Sequence, residues 1–221
     1  MHIFFLQTTA PKTESFIDIA IKGGYVMIPI VVLFIITLFL LVERLLYYFK
    51  MSRINRHMMP HIKEELIKGD LNAAIQHCDT QDGAFPIIVH TGLKSMSGGE
   101  ALKEVESSME SVANILFSRI SSPLTILGII AGIAPMLGFL GTILGIITIF
   151  TRIAAQDNII IGDIAGGLYV KMVTSFAGLF VGMIAYISYH FLQFLVERFA
   201  LNVETEIFEF MTFLKQPQKK S

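Results

Sequence analysis

The sequence predicts an all-α integral membrane protein: three transmembrane helices, long helices extending beyond the bilayer, and assembly into an oligomer. Three observations carry this. Of 221 residues, 53% are hydrophobic and 16% charged, with a mean hydropathy of +0.65; soluble domains run near ~45–50% and ~25%. Three segments are apolar over the roughly 20 residues that a bilayer crossing requires. Elsewhere apolar residues recur every three or four positions, the period of a helix, and no run alternates as a strand does.

Residues 1–24 form the N-terminal segment. "MHIFFLQTTA" has the outline of a signal peptide, but its charged region is nearly absent and its apolar region short. A short tail is the simpler reading, and "ESFIDIAIKGG" after it reads as an amphipathic helix lying on the membrane. The first span covers 25–47, leaving the membrane near Glu43 and Arg44.

Residues 48–122 form a helical segment. Within 58–78 the apolar positions are Ile62, Leu66, Leu71 and Ile75, and "GD" at 69–70 and "DTQDG" at 79–83 read as turns. A clearer amphipathic helix follows, with Leu102, Val105, Met109, Val112, Leu116 and Ile120 on one face. It runs almost directly into Pro123, where the second span, 123–150, begins. A loop at 151–163 leads to the third span, 164–196, which leaves the membrane near Glu197 and Arg198. At about 1.5 Å per residue both later spans exceed a ~30 Å hydrocarbon core, so they tilt or project. In 197–221 a helix and tail follow, with Val203, Ile207, Phe210 and Leu214 in helical period.

Basic residues near span ends set orientation. Arg44, Lys50, Arg53, Arg56, Arg119, Arg198, Lys215, Lys219 and Lys220 outnumber Lys12, Lys22 and Arg152. The bias places 48–122 and the C-terminus in the cytoplasm and the N-terminus outside.

Composition also excludes. A net charge of −1 offers nothing to nucleic acid. Cys78 is the single cysteine, so no intrachain disulfide forms. There is no phosphate-binding glycine loop, nucleophile elbow or catalytic triad pattern, so neither an enzyme nor a cofactor is expected. His57 and His61 are four residues apart, with His77 and Cys78 downstream. Without a paired C-x-x-C or an H-E-x-x-H, no metal is assigned to them.

The second span carries Gly128, Gly132, Gly138, Gly141 and Gly145; the third carries Gly166, Gly167, Ala177, Gly178 and Gly182. In lipid, helices associate through close packing of small residues. Three spans have few internal faces to use so many, which is the reason to expect an oligomer. Thr142 shares a face with Gly138 and Gly145, and Ser175 shares one with Gly178 and Gly182, with Thr174 beside it. Such hydroxyls ordinarily bond back to their own helix. A small, weakly polar stripe on each of two helices also suits a narrow wet path or a groove for a polar partner helix. Lys171 is the one formal charge well inside a span. It either snorkels outward along its stem or pairs with an acidic group of a partner.

The stretches "IAGIAPMLGFLGTILGII" (130–147), "AGGLYVKMVTSFAGLFVGMIAYISYH" (165–190) and "IKGGYVMIPIVVLFIITLFLLVER" (21–44) resemble the MotA/TolQ/ExbB proton-channel family, most closely ExbB- and TolQ-like proteins. The resemblance implies five copies ringing a pore lined by spans two and three, in the bacterial inner membrane. It implies a one-span, ExbD- or TolR-like partner whose intramembrane aspartate carries protons. It further implies a TonB- or TolA-like periplasmic transducer driven by the proton motive force. Thr142 matches the family's pore threonine, Ser175 takes the place of the one on span three, and Pro135 matches the family proline. Many relatives carry an acidic residue where Val170 stands, and a small or apolar one where Lys171 stands. An ExbB-like role in TonB-dependent transport leads, with a TolQ-like envelope-maintenance motor or a non-conducting scaffold as alternatives.

Overall fold

The computed structural model of the chain describes residues 24–52, 58–155 and 161–215. All regular structure among them is helical: α1 (Met27–Met51), α2 (Met58–Lys68), α3 (Leu71–Asp79), α4 (Ala84–Ser97), α5 (Leu102–Ser121), α6 (Leu124–Ala154) and α7 (Ile161–Lys215). Three of these, α1, α6 and α7, are long and apolar enough to cross a membrane. The amphipathic helix expected before residue 24, along with Arg53, Arg56, His57, Lys219 and Lys220, lies outside the described residues.

Local chemistry sets the breaks. Gly69 takes φ +81°, a backbone conformation that side-chain-bearing residues avoid, and ends α2. Asp70 then caps α3, its Oδ1 accepting from the Ala73 N–H at 2.9 Å. Lys68 grips Glu64 at 2.8 Å and Glu65 at 3.1 Å, holding the Glu64 carboxyl below its ordinary range. Between α5 and α6 the chain scarcely leaves the helix. Ser122 keeps helical angles and its N–H reaches the Ser118 carbonyl at 2.8 Å. Pro123 has no N–H, and that interrupts the ladder. The observed bounds lengthen α6 by four residues beyond 150, and α7 continues without a break through position 196.

The chain divides into two compact units. One comprises, among the described residues, 36–52, 58–130 and 184–215. Its core is an ordinary hydrophobic one: Phe85, Ile88 and Leu93 from α4, Val105 and Met109 from α5, and Val203, Phe210 and Met211 from α7, all 1% exposed or less. Phe199 receives the edges of Tyr48 and Phe117, with ring centres 6.3 and 5.9 Å away. At the far end of α7, Lys215 bonds Glu106 at 3.2 Å. The helix α4, which lies in the 48–122 segment expected to be helical but was not placed individually, contributes Ala84, Phe85, Ile88, Val89 and Leu93 to this core.

The other unit comprises, among the described residues, 24–35, 131–155 and 161–183. Its apolar core is small there: among the described residues Met27, Ile30, Ala134 and Val181 are its buried hydrophobic residues. Helix-on-helix contact through glycine takes the place of a core here.

Cys78 sits in the first unit at 2% exposure. Burial, and secondarily the Asp79 carboxylate, pushes its thiol up to about 12 from 9.0. A three-unit rise leaves about 1,000-fold less thiolate at a given pH. The folded chain should therefore react with iodoacetamide at pH 8 at least ~100-fold more slowly than the denatured chain. Because the folded-state pKa is raised, the thiol's contribution to stability is complete below pH 9 and declines from there towards 12. Unfolding curves of wild type and Cys78→Ala across that range would show it.

Candidate functional site

The site is built on one antiparallel seam between α6 and α7 within the second unit. As numbers fall along α6 they rise along α7: Gly145 faces Lys171, Gly141 faces Thr174, Gly138 faces Ser175 and Gly178, and Pro135 faces Gly182. The approach is backbone to backbone. A Cβ on Gly178 would stand 2.6 Å from the Ala134 carbonyl oxygen and 2.7 Å from Gly138 Cα. One on Gly138 would stand 3.0 Å from the Ser175 carbonyl oxygen. No side chain fits there, and two backbone segments cannot step aside.

Pro135 adds to this. It sits inside α6 and has no N–H, so the Ala131 carbonyl one turn earlier lacks its usual helical donor. That carbonyl faces Gly182, 3.1 Å from where its Cβ would stand, while the proline ring lies against the same glycine. Non-ideal backbone at such depth is tolerated where it is covered by protein rather than lipid.

This arrangement corrects one step of the sequence reasoning. Gly138, Gly141, Gly145, Gly178 and Gly182 are consumed by the chain's own seam. Their number is thus no argument for an oligomer, and the bare stripe of α6 is not a free face for a partner helix. Gly132 and Gly166 are the span glycines with open space around them.

The hydroxyls separate. Thr174 is 0% exposed; its Cγ2 lies against Gly141 and its Oγ1 donates to the Val170 carbonyl at 3.2 Å. Thr142, one residue past Gly141, is partly exposed and donates to the Phe139 carbonyl at 2.6 Å. Ser175 is also partly exposed. Thr142 and Ser175 therefore remain at the surface of the unit, whereas Thr174 is enclosed. Two further buried hydroxyls, Thr37 and Ser188, lie in the other unit. Each stands in an apolar run, which was their only signal. Among the described residues no buried side-chain nitrogen or oxygen lacks a partner.

Lys171 is half-buried, its stem lying across Gly145 and its Nζ 3.8 Å from the position of a Cβ on Gly24. None of the ion pairs among the described residues includes it.

The remaining candidates lie in the first unit. The rings of His61 and His77 are 4.7 Å apart, but among the described residues no three metal-binding side chains converge. A cleft of about 310 Å³ opens between α5 and the end of α7, lined by Glu106, Glu110, Asn114, Glu204 and apolar neighbours.

These features define a multi-pass helical membrane protein with a glycine-packed, proline-containing seam and surface hydroxyls beside it. The chain belongs to the MotA/TolQ/ExbB proton channel family, whose profile matches residues 80–205. A putative biopolymer transport protein ExbB homolog from Methanothermobacter thermautotrophicus is 28% identical over 164 residues, 74% of this chain and 57% of that protein. Biopolymer transport protein exbB1 from Vibrio cholerae is 36% identical over 87 residues, 39% of this chain and 38% of that one. The match thus spans about half the length of these relatives, or less.

The seam predicts unequal tolerance among glycines. Gly178→Ala should destabilise the detergent-solubilised protein by about 1–3 kcal/mol, the usual penalty of overpacking. Gly132→Ala, into open space inside α6, should leave stability unchanged or raise it by up to about 1 kcal/mol. Thermal unfolding of the two variants side by side would measure the contrast.

Proposed function

We propose that this chain is the channel subunit of a proton-driven, ExbB-like motor in a bacterial inner membrane, with its N-terminus periplasmic and its C-terminus cytoplasmic. It works as a homo-oligomeric ring, a pentamer on the family pattern, and performs no enzymatic step. Its partner is an ExbD- or TolR-like one-span protein whose intramembrane aspartate takes up and releases protons. The output energises a TonB-like transducer for transport across the outer membrane.

The observation that supports this best is Thr142. It is a span hydroxyl at the unit's surface, satisfied only locally by the Phe139 carbonyl, beside helices locked by glycine. A hydroxyl donates and accepts without titrating. Beside a partner's carboxylate it would stabilise either protonation state. We assign the path to Thr142 and Ser175, with Thr174 enclosed behind them in the seam and Lys171 one turn before Ser175 on α7. A TolQ-like role in envelope maintenance uses the same residues and differs in the periplasmic transducer.

Proton uptake by sealed vesicles under an imposed gradient tests the reading. The chain would be co-expressed with an ExbD- or TolR-like one-span protein that carries the intramembrane aspartate. Thr142→Ala should lower flux about tenfold, the equivalent of one charge-assisted hydrogen bond of roughly 1.5 kcal/mol. Replacing the partner's aspartate with asparagine should abolish it. A non-conducting scaffold would be insensitive to both changes in an assembled complex.

A further inference from the structure

Lys171 is the feature that the proton path does not absorb. A charge inside a span is costly and is retained for a reason. Lysine offers two properties that could be that reason, an ammonium and a long unbranched stem.

The geometry separates them. A Cβ on Gly145 would overlap Cγ and Cδ of Lys171 and come within 2.5 Å of Cε. The stem therefore occupies the notch that the missing side chain leaves on α6. The ammonium is carried past the notch towards Gly24, three residues before α1 begins. That is how a lysine stem lies on apolar surface while its head leaves it. The stem thus lies on α6 and the head near Gly24, ahead of α1. One turn further along α7, Thr174 sits against Gly141, which Val26 also approaches at 3.3 Å from the same virtual Cβ.

We propose that Lys171 is a positioning residue that acts through its stem rather than its charge: a wedge seated in the Gly145 notch. It sets the register of α6 on α7. Thr142, three residues before Gly145, and Thr174, three residues after Lys171, take their places from that register. The packing claim stands on the seam alone, while its consequence for ion flow rests on the proton-channel reading.

A size-swap cycle on the full chain tests it, read first as melting temperature in detergent. Lys171→Met keeps an unbranched stem without the charge, and it should melt at or above the wild-type temperature. Lys171→Ala empties the notch and Gly145→Ala overfills it; each should lower Tm by about 5 °C. In the double variant the alanine at 145 meets no stem, so it should melt no lower than Lys171→Ala. The second readout is partner-dependent proton flux, which should stay within about twofold of wild type in Lys171→Met and fall in Lys171→Ala.

The proposal is overturned if Lys171→Met loses as much stability as Lys171→Ala while Lys171→Arg loses none. It is equally overturned if the Gly145→Ala penalty persists in the Lys171→Ala background. Loss of flux in a Lys171→Met protein of undiminished Tm would also overturn it, by placing the charge in the ion path. Should the wild-type complex show no flux at all, the channel reading fails while the melting cycle still decides the wedge.

Discussion

The structure depends on one close approach, the contact of the α6 backbone with the α7 backbone at Gly138 and Gly178. In lipid there is little hydrophobic gain from bringing apolar helices together, because the chains around them are equally apolar. What remains is dispersion, which falls off steeply with distance. Removing side chains at the crossing is the way to shorten that distance. Once the two backbones touch, the surroundings are determined: Pro135 is covered by Gly182, Thr174 is enclosed, and Thr142 is left at the surface.

The two units are stabilised by different physics. Among the described residues, 36–52, 58–130 and 184–215 enclose a conventional core of large side chains such as Phe85, Met109 and Phe210. The described residues of the other unit pack instead largely through the glycines of α6 and α7. Helix α7 contributes to both. The family match over 80–205 likewise takes in residues of both and leaves out α1, whose apolar run is the least distinctive of the three.

Much of this was legible from the amino acids alone. The spans announced themselves by length and hydropathy, and the amphipathic periods of α5 and the end of α7 named Val105, Met109, Val203 and Phe210 as buried, as they are. Helix α4 lies in a segment expected to be helical but was not delimited, because "AFPIIVHTGLKSMS" has a proline near its start and apolar residues around much of its circumference, so no single face stands out. The glycines were rightly singled out as contact residues, but a list of small residues does not say which neighbour they touch. A contact within the chain and one between chains have the same composition. Likewise, Thr142 and Thr174 are indistinguishable as residue types. Only the crossing of two helices makes one a surface group and the other an enclosed one.

The backbone-to-backbone seam also bears on how such a chain can change over generations. Apolar positions such as Phe139, Leu144, Phe176 and Leu179 are exposed on this chain, and their side chains have room to vary. The positions that cannot drift are those where nothing projects at all. Heredity of this membrane unit is thus written less in the side chains it possesses than in the few it does without.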